Sequence, residues 1–563
     1  MQFDDRRLRV LFYAAWIAAL IIQCWSVGLS GDEAYYWRYS RELAWGYFDH
    51  PPVTSLLVHV GYSVFNNELG VRLLFIILST ATIFGLEQLV KPADLKLFYA
   101  IVLSIAFLQV GMVWGGGMMA IPDFPLLFLE VAFFVLYRNY LDNPSWYITP
   151  LMAVVISLMM LTKYHGILIV GFTVLSNLRL LGRGSFWVIV GLSLVLLIPH
   201  FLWQVDNGFP SIRYHLLERS ANPYSIKYTA EYLGGQPFIL GPFIGLLLIF
   251  AGIVFKPSGH FEGSLKYVAL GTYIFFLAMT FKGRVEANWT IITLVPLTYL
   301  GYKQIESSKR LRLLTMYSFA ISICLILAAR TLIITRPPLP LLGRFTRSLE
   351  PWTWCGDLKQ RTGGRAVAFM NSYQKASLYE FYEGIPAFSI NNFWGRKDQY
   401  NVWDTEAQFQ GQDIAIVSNW EIPNLDTIRI GNEYFPYTVI NNFRSTSNLL
   451  IQSDLPATIT TTPQAKLTAN LRFGYSNAHI RDLEVNADFP TNAVYAFFQG
   501  RTATDYGNNS VIVRNNMVGS EDSFPLEVQA PATPGRYYLY FAASTGWLPP
   551  GFNSTPIEVT VGD

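Results

Sequence analysis

Charge and cysteine are what this 563-residue chain has least of. Asp, Glu, Lys and Arg together make 14% of it, against about a quarter of an ordinary soluble domain. So little charge excludes both a disordered chain and a single soluble globule of this length. The net charge of +2 excludes the concentrated basic surface that a nucleic-acid partner needs. Three cysteines are too few for a disulfide framework or a Cys-based zinc cluster. Cys24 and Cys324 lie in apolar runs, out of easy reach of Cys355, so all three read as unpaired thiols. No cleavable signal peptide is evident either: the first apolar run is too long for an h-region and lacks a small-residue cleavage site. What is plentiful is apolar surface, with 52% hydrophobic and 15% aromatic residues. That composition fits a membrane protein carrying a sizeable soluble part.

A spanning helix needs roughly 20 mostly apolar residues. About eleven such runs follow one another, at 8–28, 69–90, 96–114, 124–140, 146–162, 166–181, 185–204, 237–255, 267–281, 288–304 and 313–335. Placing the N-terminus in the cytoplasm puts Arg6, Arg7, Arg9, Lys91, Lys96, Arg138, Arg179, Arg183, Lys256, Lys266, Lys303, Lys309, Arg310 and Arg312 inside, as the positive-inside rule requires. An odd number of spans then leaves everything after about residue 336 outside, together with the loops 29–68, 115–123, 163–165, 205–236 and 282–287. Several cations fall on the side the rule disfavours, among them Arg72, Lys163, Lys282 and Arg284. Singly these are solvated charges or carboxylate partners. Together, near one face, they suggest an anionic ligand such as a lipid phosphate.

After Arg336-Pro337-Pro338 the composition changes. Residues 337–457 alternate strand-like and helix-like pieces, such as Ala366–Met370, Ala376–Tyr382 and Ile414–Val417, which reads as an α/β domain. Residues 458–563 carry short strands and turns, such as Ala493–Phe498 and Arg536–Phe541, which reads as an immunoglobulin-like β-sandwich. Neither part contains a nucleophile elbow, a P-loop or a metal motif, so both are expected to be accessory.

The chemistry-bearing residues gather at the outer loop ends. Gly31-Asp32-Glu33-Ala34-Tyr35-Tyr36-Trp37 sets adjacent carboxylates just beyond the first span, and Trp45-Gly46-Tyr47-Phe48-Asp49-His50-Pro51-Pro52 follows. Acids at a membrane surface are costly unless paired or functional, and aromatics beside carboxylates suit a sugar. The plainer reading is an interfacial aromatic belt whose acids cap a short helix. Asp123, in Pro122-Asp123-Phe124-Pro125, stands at the start of a span, where a lone Asp is often a cap. Lys163-Tyr164-His165 and Phe281-Lys282-Gly283-Arg284-Val285-Glu286-Ala287-Asn288-Trp289 fill two further outer turns. His200, near the outer end of its span, is more simply an interfacial histidine than a ligand.

The Gly31–Trp37 and Gly46–Pro52 motifs resemble the bacterial branch of the protein O-mannosyltransferase-like glycosyltransferases, which includes aminoarabinose and lipid A glycosyltransferases with the GT-C fold. The Pro122–Phe128 run, Lys163-Tyr164-His165-Gly166 and the Arg284–Trp289 run are similar too, so the resemblance covers roughly residues 1–335. It implies a polytopic helical GT-C domain over 1–336 that moves a hexosyl or pentosyl group from a polyprenyl-phosphate-linked donor to a periplasmic lipid (lipid A-like) or protein acceptor. It implies Asp32 as general base and Asp123 as a second acid near the site, with Glu33 orienting the acceptor. It implies cations at the donor phosphate, for which Lys163, Lys282 and Arg284 are the candidates. His165, His50, Tyr35 and Tyr36 complete the expected substrate contacts. Some relatives bind a divalent ion, but no ligand set is evident here, so no metal or cofactor is expected. The implied location is the bacterial inner membrane with the C-terminal domains in the periplasm. The acceptor-like sequences at Asn288, Asn508 and Asn553 then read as chance matches.

Other readings remain open at this level. A ligase for a larger lipid-linked glycan would use the same face. A transporter or flippase would favour paired inverted halves and mid-span charges, neither of which is evident. A glycan-binding adhesion protein would not need acids and bases clustered at the outer loop ends.

Overall fold

The computed structural model describes the chain except for residues 1–3, 111–115, 143–145, 216–223, 336–348, 394, 423–424, 476–492, 501–503, 546–547 and 563. The chain falls into two compact units, 1–220 with 224–351 and 221–223 with 352–563.

The first unit is helical, as the long apolar runs require. Among the described residues, each of the eleven runs overlaps a helix or a pair of helices. Among the described residues five helices are long and apolar enough to cross a membrane: Asp5–Ser26, Glu68–Val90, Asp123–Asp142, Gly184–Asp206 and Lys309–Thr335. Ile226–Leu240 and Ile244–Val254 form a sixth candidate, bent by 99°. The bend has a local cause. Pro237 interrupts the backbone ladder near the end of the first helix, and Gly241 follows at φ +124°. The sequence placed Ile226–Gln236 in a loop, because Lys227, Glu231 and Gln236 dilute its apolar pattern. The chain is a multi-pass membrane protein.

Two short helices, Gly31–Arg41 and Val53–Val64, occupy the loop after the first span. The second turns sharply into Glu68–Val90, where the Asn67 side chain accepts the Gly70 N–H at 3.2 Å. A Cβ at Gly70 would lie 1.7 Å from the Phe65 carbonyl oxygen, so only glycine permits this close turn. That turn fixes where Arg72 enters the fold.

The second unit begins with helix Pro351–Thr362 and then builds a sheet from β1 (Ala366–Met370), β2 (Ala387–Ile390), β3 (Ile414–Val417), β4 (Asp426–Ile430) and β5 (Glu433–Ile440), in the order β2-β1-β3-β5-β4. β1 runs parallel to β2 and β3, and these three are almost wholly buried. Continuous apolar strands are what a sheet covered on both faces demands. Two further sheets, β10-β9-β12-β13-β7 and β11-β8-β6, follow. Their strands are β6 (Leu449–Ser453), β7 (Thr458–Thr461), β8 (Lys466–Tyr475), β9 (Ala493–Gly500), β10 (Thr504–Ile512), β11 (Phe524–Gln529), β12 (Gly535–Ala543) and β13 (Ile557–Val561). Alternate residues such as Leu471, Phe473, Leu526, Val528, Leu539 and Val559 close one core between them. Cys24, Cys324 and Cys355 are free.

The α/β part carries a pH dependence. Asp398 and Glu406 are buried, and burial pushes each carboxyl up to about 7, with Asp404 adding to the effect on Glu406. Ionisation therefore opposes the fold. The stability these neutral carboxyls allow is complete below about pH 4 and is lost as pH rises toward 7. Hydrogen exchange in the 398–410 segment, corrected for intrinsic rates, is expected to be faster at pH 8 than at pH 5. An Asp398→Asn/Glu406→Gln variant should remove the difference.

Candidate active site

Helix Gly31–Arg41 is built around its own start. The Ser30 hydroxyl accepts the Glu33 N–H at 3.3 Å and the Glu33 carboxylate accepts the Ser30 N–H at 2.9 Å, closing a capping box. Glu33 and Arg72 are each 1% exposed. Arg72 donates to both Glu33 oxygens at 2.7 Å, and the Ala120 N–H donates to Glu33 Oε1 at 3.1 Å. The same guanidinium reaches the carbonyls of Val27 at 2.7 Å and Gly28 at 2.8 Å. Burial works against the charge on Glu33, but Arg72 and the two backbone N–H groups outweigh it and hold the carboxyl below its ordinary value. One ion pair thus ties together the end of the first span, the short helix and the stretch before Asp123. Asp32 stands beside it, half-buried in the first turn, where helix N–H groups favour a negative charge.

Aromatic rings cover this helix. Tyr35 and Tyr36 are buried; Tyr35 lies 4.4 Å from the Tyr39 ring and Tyr36 lies 5.3 Å from the His50 ring. Tyr39 stacks on Tyr47 at 4.1 Å and donates its hydroxyl to Asp49 at 2.9 Å. Burial, reinforced by Asp49, pushes the Tyr39 hydroxyl up, so it remains a donor. Burial pushes His50 down to about 4, against the pull of Asp49. His50 is therefore a neutral imidazole at pH 7. It can bond a phosphate oxygen but brings no charge.

Asp123 begins helix Asp123–Asp142 and Lys163 ends helix Ile148–Thr162. Their side chains, 3% and 7% exposed, meet at 2.8 Å. Asn288 donates to the other Asp123 oxygen at 3.4 Å. Asp123 is thus a partner of Lys163. Next to Lys163, Tyr164 bonds His200 Nε2 at 3.1 Å. His200 Nδ1 lies 2.6 Å from the Trp45 carbonyl, which sets Nδ1 as the donor and Nε2 as the acceptor. Gln204 links Tyr164 to Ser211, Ser211 bonds the Tyr47 carbonyl at 2.9 Å, and His215 bonds the Asp49 carbonyl at 3.0 Å. His165 stacks on Phe276 at 5.3 Å and lies 5.5 Å from the Trp289 ring.

Direct contacts therefore connect the first outer loop with His200, Ser211 and His215, and His200 with Tyr164, while Asp123 gathers Lys163 and Asn288 and His165 packs on Trp289. The run Lys163-Tyr164-His165 joins the sets through the chain itself. Lys282 and Arg284 stand apart. Both are exposed, and Arg284 lies 3.8 Å from Glu231, which Lys227 also approaches at 3.7 Å. Arg72, Tyr39, Asp49, Asn288 and His215 join the network without having been singled out as site residues. Asp49 and Asn288 sit inside the motifs already noted, and Arg72 counts among the misplaced cations. Nothing in the sequence marks Tyr39 or His215. No group of three or more His, Cys, Asp or Glu stands together among the described residues.

Residues 49–203 match the model of a family described as dolichyl-phosphate-mannose-protein mannosyltransferase. In structure the chain aligns with ArnT from Cupriavidus metallidurans bound to undecaprenyl phosphate, with a TM-score of 0.55, 15% identity, and coverage of 77% of this chain and 98% of that one. The same protein in its apo state gives a TM-score of 0.53 at 15% identity, over 78% of this chain and 99% of that one. In fold the chain is similar to these GT-C structures. The segment that matches the family model includes Asp49, His50, Asp123, Lys163 and His165. It excludes Asp32 and Glu33 on one side and Lys282 and Arg284 on the other. No curated protein matches the sequence.

Proposed function

We propose that the protein transfers a hexosyl or pentosyl group from a polyprenyl-phosphate-linked donor to a lipid or protein acceptor at the outer face of a bacterial inner membrane, where its C-terminal unit lies. Asp32 takes the proton from the acceptor hydroxyl as that oxygen attacks the anomeric carbon. The bond from that carbon to the phosphate breaks, the lipid phosphate leaves, and a single displacement inverts the centre. Glu33 and Arg72 hold the helix that carries Asp32. Lys163 stabilises the charge gathering on the departing phosphate, a role that needs a fixed cation in a water-poor site. Lys282 and Arg284, which stand apart from this network, take no part in the step.

The observation that carries this reading is the buried Asp123–Lys163 pair, joined by Asn288. Tyr164, next to Lys163 in sequence, bonds His200 and so reaches the loop bearing Asp32 through the 200–215 segment. The undecaprenyl phosphate bound by ArnT supports a donor of that class. The test is transfer of a labelled sugar from a synthetic polyprenyl-phosphate donor by the purified chain. Product whose anomeric configuration equals that of the donor would overturn the single displacement.

Three further outcomes are expected. Lys163→Met should lower kcat/KM for the donor by about 10²–10³-fold, the cost of one preorganised donor at a developing charge. A Lys163→Met/Asp123→Asn pair, which leaves no buried charge unpaired, should be equally inactive yet fold. Turnover within threefold of the parent in that double variant would remove Lys163 from the mechanism. No metal or cofactor is required on this reading, so transfer should survive excess EDTA.

A further inference from the structure

A second place in the molecule gathers recognition chemistry, at the carboxyl ends of β1, β2 and β3. In open α/β sheets ligands bind outside the carboxyl ends, where the strand order reverses. The chain passes from β1 to β2 on one side and returns across β1 to β3 on the other, so the reversal lies between β1 and β3. The register fixes what meets there. Met370 pairs with Ile390 and Phe369 with Val417, so Asn371 is flanked by Asn391 and, two residues beyond Val417, by Asn419.

Asn371 adopts a left-handed backbone at φ +50°. Its N–H donates to the Ile390 carbonyl at 2.8 Å and its side-chain oxygen accepts the Asn392 N–H at 3.0 Å. Two residues on, Tyr373 opens helix Tyr373–Glu383, and the Arg396 guanidinium lies 4.9 Å from the Tyr373 ring centre. Beyond β3, the Ser418 hydroxyl accepts the Trp420 N–H at 3.2 Å and donates to the Trp420 carbonyl at 3.0 Å, fixing that turn. Tyr373, Arg396 and Trp420 are half-buried and Asn419 is exposed. The sandwich supplies a wall: Phe393 donates its N–H to the Pro550 carbonyl at 2.9 Å, and Lys397 lies 5.2 Å from the Phe552 ring.

The half-buried Trp420 ring, the exposed Asn419 amide and the Arg396 guanidinium along one sheet edge are groups suited to a sugar. Rings stack on its CH faces, amides bond its hydroxyls, and a guanidinium grips a carboxylate in two bonds. We propose that the β1–β3 carboxyl edge is a glycan-binding site, separate from the membrane site, that takes a sugar residue bearing an acidic group. The site holds the saccharide against the Trp420 ring and directs its acidic group to Arg396, whose guanidinium is backed by the Tyr373 ring. It performs no chemistry.

The test is saturation-transfer NMR on the full chain in phospholipid nanodiscs, with D-glucuronate and D-glucose as probes and no donor present. Glucuronate is expected to bind, and glucose more weakly. Trp420→Ala and Arg396→Gln should each weaken glucuronate binding about tenfold, the loss of one stacked ring or one charge-assisted bond. Asp32→Asn should leave it unchanged. Absence of glucuronate binding, or binding equal to the parent in both edge variants, would overturn the proposal. Because the assay involves no transfer, its failure leaves the glycosyltransferase reading standing, and the reverse also holds.

Discussion

Asp32→Asn is expected to abolish sugar transfer while leaving the protein folded and the donor bound. The size of the loss follows from the role. A positioned carboxylate base contributes about 10²–10⁴-fold, and an amide of the same shape cannot accept the proton. The substitution keeps the shape of the side chain. Asp32 is half-buried in the first turn of Gly31–Arg41, and losing its charge at a helix start removes about 0.3–1 kcal/mol. The capping box runs through Ser30 and Glu33 and stays intact. Activity should therefore fall by orders of magnitude with an unfolding temperature close to the parent's. Two measurements decide it: initial rates with labelled donor, and donor-lipid binding by the same preparation. Turnover within about threefold of the parent would remove Asp32 as the base. Inactivity with lost donor binding would move Asp32 from proton transfer to donor binding.

The fold of the first unit was legible because a bilayer leaves the chain few choices. Backbone polar groups in hydrocarbon must be satisfied within a segment, so each long apolar run had to become helix, and among the described residues each overlaps one. What escaped were the elements whose sequence mixes polar and apolar residues. Ile226–Leu240 carries Lys227, Glu231 and Gln236, and Val53–Val64 is too short to span. In the second unit the buried parallel strands were plain as continuous apolar runs, Ala366–Met370 and Ile414–Val417. Their order in the sheet was not, because pairing is a long-range choice.

The candidate site was legible as residue types and unreadable as partners. Asp32, Glu33, Asp123 and Lys163 stand out by position alone, since charge is costly at a membrane face. Which acid pairs with which cation depends on helices brought together by folding. Glu33 and Asp32 are neighbours in sequence, yet Glu33 is closed around Arg72, 39 residues away. Lys163 and Arg284 look equivalent as out-of-place cations, but one is buried against Asp123 and the other is exposed near Glu231. Tyr39 and His215 carry no signal at all, because a tyrosine or histidine in an aromatic-rich chain becomes informative only when its partner is known.

The second large effect is expected at Arg72, which touches no proposed substrate. Arg72→Met should destabilise the first unit by about 3–5 kcal/mol, the range for removing one partner of a buried ion pair. The reason is the charge left behind. Glu33 would stay buried with only the Ser30 and Ala120 N–H groups to bond it, and the Val27 and Gly28 carbonyls would lose their donor. Against a total of about 5–15 kcal/mol for a folded domain, that loss is large, so poor yield and a lower unfolding temperature are expected. Arg72→Lys should recover little, because an ammonium cannot bond both Glu33 oxygens and two carbonyls at once. Glu33→Gln in the Arg72→Met background should recover part of the loss, since the buried charge disappears with its partner. A thermal unfolding cycle over the four proteins in nanodiscs measures the coupling, and rates per folded molecule separate stability from chemistry. If the pair acts by holding the Asp32-bearing helix, the double variant folds but transfers sugar slowly, with kcat reduced more than donor affinity. A double variant with parental kcat, or an Arg72→Met protein within about 1 kcal/mol of the parent, would assign Asp32's placement to the tyrosine packing of Tyr35, Tyr36 and Tyr39 instead.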